Sequence, residues 1–335
     1  MRMNTATIAP TKTETKTPFA LLNVIPLLLA LVFFISLVTF PSVTGQAVSS
    51  ALTMCAERLI PSIFPFMIAS ELLVRLEFAE ITGKILGKPF KRIFGISENG
   101  AAAFVIGSLC GLPLGARYAI SLFKTGRVSQ VECEKLMAIS NNAGIGFVVV
   151  GVGYGIWGSV DFGWLLYLCQ IVAAITVGIM FFRTENRSYI APVTNYFDKK
   201  PFPTLFCEAV SSSTTGILTV CAFAVFFTTL SSVITHACSL LSIPAIFSAT
   251  LGAFSEIASG CERLHEFSLS NAPANENSAK ILTFFAIGFS GLSVHAQTLS
   301  ACLESEIKFK KYILLKLACG VICAFTGAII LHFVA

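Results

Sequence analysis

The apolar residues of this chain arrive in blocks. Phe19–Phe40, Asp161–Phe182, Gly216–Leu241 and Tyr312–Val334 are the clearest, and about 20 such residues cross a hydrocarbon core as a helix. A soluble core could hide one block of this kind but not four, so the pattern predicts several membrane-spanning helices. The first block is too long for the short apolar stretch of a cleavable signal. It is expected to be a retained span, with Pro26 tolerated near its start and Pro41 ending it. Other apolar stretches are interrupted. Leu59–Val74 contains Pro61 and Pro65 and reaches Ser70-Glu71 near its end. Asn99–Phe123 carries Gly111-Leu112-Pro113-Leu114-Gly115, and Met137–Trp157 opens on Ser140-Asn141-Asn142-Ala143-Gly144. Irregular backbone is tolerated at membrane depth only where it is buried in protein or lines a watery cavity, so these breaks are expected to mark a functional centre.

Between them, Ala79–Phe94 sets Ile81, Ile85, Leu86, Phe90 and Ile93 against Lys84, Lys88, Lys91 and Arg92. That is the pattern of a helix lying along a membrane surface, or packed on the bundle at its cytoplasmic side. Arg183–Pro203 and Cys261–Lys280 are the most polar stretches and read as exposed loops, the first being the boundary between two halves.

Composition agrees with this picture. Charged residues make up 12% of the 335 positions and hydrophobic ones 55%, whereas a soluble domain carries roughly 25% charged residues. The net charge of +5 speaks to orientation more than to nucleic acid, which is not an expected partner. Lys and Arg gather in the N-terminal tail and in Lys84–Arg92, Lys124–Lys135, Arg183–Lys200 and Lys308–Lys316; the positive-inside rule places such segments in the cytoplasm. The 11 cysteines are scattered singly, without a CxxC pair or a Cys/His cluster at metal-ligand spacing, so neither a zinc site nor a disulfide framework is indicated. Without a GxSxG, HExxH or Walker-type loop, neither catalysis, a cofactor, a metal nor ATP-driven transport is expected.

The halves resemble each other. Gly111–Arg117 (GLPLGAR) and Gly291–Gln297 (GLSVHAQ) share Gly, Leu, an aliphatic fourth residue and Ala, and upstream of each lies Ser-Glu-aliphatic, at Ser70-Glu71-Leu72 and Ser255-Glu256-Ile257. The same order at nearly the same separation predicts a duplicated unit with broken or re-entrant helices, an architecture recurrent in secondary transporters.

Ionisable groups at membrane depth are costly and mark function by default. Glu71 and Glu256 either bind a coupling ion, a proton or a substrate donor, or cap a half-helix N-terminus or pair with a base. Arg117, with Gln297 in the equivalent place, follows a break whose residues Gly111, Pro113 and Gly115 free backbone N–H groups. Together with Gly291 and Ser293 they form a candidate anion centre, although Arg117 also suits a cytoplasmic helix end. Asn141 and Asn142 are candidate substrate-orienting amides or helix caps. His295 is either a packed histidine or a proton relay.

Five motifs in order, PSIFPFMIASELL at Pro61–Leu73, GSLCGLPLGAR at Gly107–Arg117, SNNAGIGFVVVGVG at Ser140–Gly153, GAFSEIASG at Gly252–Gly260 and GFSGLSVHAQ at Gly288–Gln297, resemble the sporulation integral membrane proteins of the YlbJ type, whose members carry a nucleoside-recognition (Gate) domain. The resemblance runs from about Leu52 to the C-terminus. It departs from the family pattern at Leu112, Leu114 and Arg117. It implies a role in endospore formation, in the mother-cell-derived outer forespore membrane, moving dipicolinic acid, a small aromatic dicarboxylate. A nucleoside or nucleobase carrier and a non-transporting scaffold for spore assembly are the rival readings.

The expectation is thus an all-α polytopic transmembrane bundle with two structural repeats: a polar tail (1–18), a first membrane repeat (19–182), a connecting loop (183–203) and a second repeat (204–335). Its expected partners are a small anionic solute, the lipid bilayer, and further copies of itself or other spore-membrane proteins.

Overall fold

The computed structural model describes residues 21–76, 78–182, 200–269, 273–303, 307 and 309–334, which are mostly helical and contain no strand. The expected tail 1–18 and most of the connecting loop lie outside the described residues. The chain divides into two units, Met1–Pro41 and Ser42–Ala335. In the first, helix α1 (Leu21–Thr39) falls on the expected first span, and its Leu27, Val32, Phe34 and Val38 side chains are exposed.

The second unit opens with one continuous helical run: α2 (Pro41–Met54), a π segment (Cys55–Leu59) and α3 (Ile60–Arg75). The break expected at Pro61 is absent. The N–H of Ile60 reaches back to the carbonyl of Cys55, the wide register of a π turn. The widened turn lies directly before Pro61, whose ring cannot donate, and Pro65 is carried inside α3. Next, α4 (Phe78–Phe94) meets α5 (Glu98–Cys110) at 98°. α4 packs on the bundle through Phe90 and Phe94, which meet Phe104, and leaves Ile81 and Ile85 exposed beside Lys84 and Lys88.

The first half continues through α6 (Leu114–Lys124), α7 (Gln130–Ser140), a second π segment (Gly146–Tyr154) and α8 (Val160–Phe182). In α5 and α6, Gly107 and Gly115 abut across a tip at Gly111, so the two helices form a tight antiparallel hairpin. Its base is fixed by the buried Glu132, whose carboxylate accepts from the N–H of Ser97 at 2.6 Å.

The second half is α9 (Phe202–Leu240), α10 (Ala245–Ser255), α11 (Ile257–Leu269), α12 (Pro273–Phe289), α13 (Gly291–Cys302) and α14 (Phe309–Val334). α9 is antiparallel to α3: Met67 meets Gly216, Glu71 meets Ser212 and Arg75 meets Glu208. α10 and α11 form a second hairpin with its tip at Glu256; Gly252 faces Arg263, and Gly260 lies against Ala253 too closely to admit a side chain.

Cys261–Lys280, expected to be an exposed loop, is mostly helix. Its polar residues alternate with buried Cys261 and Leu264, and they find partners on other helices. Arg263 donates to Ser231 at 3.0 Å, Ser232 at 2.8 Å and Thr235 at 2.8 Å, all on α9, and Glu262 pairs with Arg58.

Among the described residues, five stretches are long and apolar enough to cross a membrane: Pro41–Arg75, Val160–Phe181, Phe202–Leu240, Asn275–Cys302 and Phe309–Phe333. On α14, Tyr312, Leu315, Lys316, Cys319 and Cys323 are buried at helical spacing, while Leu314, Leu317, Val321 and Phe325 are exposed. The helix therefore turns its greasiest face outward, as a lipid-facing helix does.

Candidate functional site

Four interruptions of the helices shape the interior. At the first, Gly111 takes φ 91° and the Leu112–Pro113 bond is cis. A Cβ on Gly111 would stand 2.6 Å from the amide nitrogen of Gly144, so this backbone packs directly on the second interruption. There α7 ends at Ser140 and residues 141–144 leave the helix. Gln170 of α8 substitutes for the missing ladder: its side-chain carbonyl accepts from the N–H of Ala143 at 2.9 Å and its amide donates to the Ala143 carbonyl at 2.8 Å.

Asn141, fully buried, donates to Thr298 Oγ1 at 3.0 Å and to the Tyr312 hydroxyl at 2.7 Å. Its backbone carbonyl accepts from Lys316 Nζ at 3.0 Å. Asn142 donates to the Ile139 carbonyl at 2.6 Å, and the His295 Nδ1 faces the Tyr312 hydroxyl at 3.2 Å.

The third interruption is the tip of the second hairpin. The buried Glu256 carboxylate accepts from the N–H groups of Ala258 at 3.1 Å and Ser259 at 2.7 Å, the arrangement of an anionic N-terminal cap on α11. At the fourth, between α12 and α13, Ser290 and Gly291 both turn left-handed, with φ 80° and 73°, and Gly291 packs on the amide nitrogen of Ile257.

The four breaks enclose one cavity of about 40 Å³. Cys110, Gly111 and Leu112 contribute one wall, Ala143, Gly144 and Gly146 a second, Glu256, Ile257 and Ala258 a third, and Ser293, Val294 and Gln297 a fourth; Leu59, Ser62, Ile63 and Phe66 approach from the side of α3. This volume holds on the order of three waters. Its polar groups are the Glu256 carboxylate, the Gln297 amide and the hydroxyls of Ser62 and Ser293; none of the described lining residues is basic.

Of the residues singled out from the sequence, Gly111, Glu256, Ser293 and Gln297 share this cavity. Asn141 and Asn142 sit in the break behind it, and Gly115 and Pro113 shape the first hairpin. His295 lies beside it in the Tyr312 network rather than on its wall. Glu71 is elsewhere: it accepts from Ser212 at 2.8 Å and faces Arg75 at 3.5 Å, in an ionic cluster with Glu208 and Lys200. Arg117 is half-buried on α6 and does not line the cavity, so the expected anion centre of Arg117 and the two Gly-Leu breaks is not assembled here. Lys316, at the end of the basic segment expected in the cytoplasm, is 0% exposed. The signal was present, since a lone Lys stands one turn beyond Tyr312 in an otherwise apolar run.

These features define a polytopic helical membrane protein whose interrupted helices line a small, mostly apolar cavity that Glu256 and Gln297 share. The chain is similar to the sporulation integral membrane protein YlbJ of Bacillus subtilis (strain 168), 26% identical over an alignment of 325 residues that takes in 86% of this chain and 78% of the relative. The similarity to an integral membrane protein, together with the apolar helices, supports a multi-pass membrane protein. No family model matches the chain, so the nucleoside-recognition domain rests on the motif resemblance alone. No solved structure matches it either.

Proposed function

We propose that the chain is a membrane carrier, not an enzyme, for a small polar metabolite in endospore formation, working by alternating access at the four-break cavity. The observation that supports this most is the convergence of the breaks, two from each half, on one buried space that holds a carboxylate. A purely structural bundle gains nothing from the cost of inserting such groups.

The order of elements supports it as well: α3, a hairpin (α5–α6), an interrupted helix (α7 and its π segment) and α8 are followed by α9, a hairpin (α10–α11), an interrupted helix (α12–α13) and α14. Because α3 and α9 run antiparallel, the two hairpins enter from opposite faces, an inverted duplication of the kind secondary transporters use. This order pairs Gly111 with Glu256 and Asn141 with Ser290. The motif likeness instead set Gly111 beside Gly291, and Ser70-Glu71, inside the unbroken α3, beside Ser255-Glu256, at a hairpin tip.

By resemblance the leading substrate is dipicolinate, in the outer forespore membrane. With Glu256 on the wall and no basic side chain among the described lining residues, a dicarboxylate would enter with its charge offset by protons or a bound cation. The same wall favours a second reading, a nucleoside or nucleobase, whose N–H and O–H groups suit Glu256, Gln297 and Ser293. A cavity of this volume fits neither solute until the hairpins part.

Uptake of labelled dipicolinate and of labelled uridine into proteoliposomes decides between them, with Glu256→Gln and Gln297→Leu as controls. The proposal expects one solute to accumulate and both variants to lose at least tenfold in rate. Wild-type protein that moves neither solute, together with spores that tolerate both substitutions, favours the scaffold reading instead.

A further inference from the structure

A second and larger cavity, of about 380 Å³, lies where the chain after the second π segment meets α8, α11 and α12. The second π segment and α11 both start at the four-break cavity, with Gly146 and Ile257 on its wall, and both lead to this vestibule. Its volume falls within the range of small-molecule sites, roughly 300–1,000 Å³.

The wall is built from rings. Trp157 stands between Phe162 and His265, with centroids 5.1 and 4.9 Å from its own and both neighbours tilted by 59°. Two polar atoms on these rings, Trp157 Nε1 and His265 Nδ1, are buried and have no hydrogen-bond partner among the described residues. An indole N–H can only donate, and a buried donor is costly to leave unmade, so Trp157 calls for an acceptor that the described chain does not supply.

Lys280 brings a positive charge to the same space. Its ammonium lies 5.7 Å from the centroid of the Phe162 ring and 2.6 Å from the carboxylate of Glu276, one turn back on α12. Glu276 is the outer partner, with its side chain 54% exposed against 24% for the lysine. An ion pair this exposed contributes little, so Glu276 can turn into water and leave the ammonium to another carboxylate.

Aromatic walls, an unanswered indole N–H and an exchangeable ammonium together select a ring that carries a negative acceptor. We infer that this vestibule is a binding site for a small aromatic carboxylate. The ring packs against Trp157, Phe162 and His265, and the carboxylate accepts from Lys280 and the indole N–H in place of Glu276. The site stands apart from the four-break cavity and does not require that the chain transports anything.

Tryptophan emission tests it directly. The chain has two tryptophans, Trp157 and Trp164, so Trp164→Phe leaves the vestibule indole as the single reporter. In the purified full chain in lipid nanodiscs, benzoate is expected to change this emission saturably, against empty nanodiscs as the blank. Equilibrium dialysis of labelled benzoate should give the same dissociation constant. Acetate, which lacks the ring, and benzamide, which lacks the charge, should bind at least tenfold more weakly. Lys280→Met should weaken benzoate at least tenfold, whereas Glu276→Gln, which removes the competing carboxylate, should tighten it several-fold. Opposite shifts from two partners of one solvent-reaching pair are not what a merely structural role would give.

A folded chain that neither changes its emission nor retains labelled benzoate overturns the proposal. So does acetate or benzamide that binds as tightly as benzoate, or a Lys280→Met or Glu276→Gln variant that leaves the constant unmoved. A failure of uptake into proteoliposomes bears on the carrier reading alone, since both readouts here need only the folded chain.

Discussion

At the scale of single residues, backbone contact governs this interior more than side-chain size does. Gly107 and Gly115 face each other across the first hairpin, and both close on the carbonyl of Ser140, so a methyl group at either would lie well inside van der Waals contact of that oxygen. Neither neighbour is a flexible side chain that could swing away; each is main chain fixed in a helix. Gly115→Ala is therefore expected to cost about 3 kcal/mol or more, as overpacking of a rigid core does. The check is the loss of a folded, monodisperse fraction on heating in detergent, and a Gly115→Ala variant as stable as wild type would mean that the hairpin is looser than described.

Gln170 is the complementary case. Its amide satisfies both backbone groups of Ala143 in the second break, so Gln170→Leu leaves a buried donor and a buried acceptor unpaired. At about 1–3 kcal/mol for each orphaned group, it should lower the unfolding midpoint measurably, and more than Gln170→Glu, which keeps an acceptor for the Ala143 N–H.

At the scale of elements, the second hairpin combines apolar burial, with Cys261 and Leu264 fully buried, and charge and hydroxyl contacts to its neighbours. Arg263 spans three hydroxyl groups of α9, and Arg58, on the π segment before α3, pairs with Glu262 across the halves. The latter side chains are 41% and 28% exposed, which places the pair among those worth no more than about 1 kcal/mol. Arg58→Glu and Glu262→Arg should each lower stability slightly, while the double exchange restores it. The same pair of midpoints at high salt should converge, since screening weakens exposed charge contacts.

What the sequence discloses at this scale follows from residue type. Gly, Pro and Asn clusters announce breaks because they restrict or free the backbone locally, and the interruptions at Gly111 and Asn141 stand where those clusters fall. Leu59–Val74 and Cys261–Lys280 run the other way. The π turn that absorbs Pro61 and the partners that hold Arg263 and Glu262 are supplied by the surrounding fold, which no local pattern encodes. Lys316 carries two opposed signals, the end of a basic run and a place one turn into an apolar helix, and the fold follows the second.

At the scale of the whole molecule, the proposed inverted duplication predicts on which face of the membrane each loop tip lies. If α3 and α9 cross in opposite directions, the turn between α6 and α7 and the turn between α9 and α10 must lie on opposite faces of the membrane. The turn between the second π segment and α8 must then share a face with the latter. Gly126, Ser242 and Gly158 mark these three turns, and all are exposed. Basic residues around Lys124–Lys135 put Gly126 on the cytoplasmic side.

Single cysteines at these positions, in a background whose exposed Cys207 is replaced, should divide accordingly in oriented vesicles or intact cells. A membrane-impermeant maleimide added from outside labels Ser242→Cys and Gly158→Cys but reaches Gly126→Cys only after the membrane is opened. Labelling of Gly126→Cys and Ser242→Cys from the same side would make the duplication parallel, place both hairpins on one face, and remove the geometric basis for alternating access at the cavity they enclose.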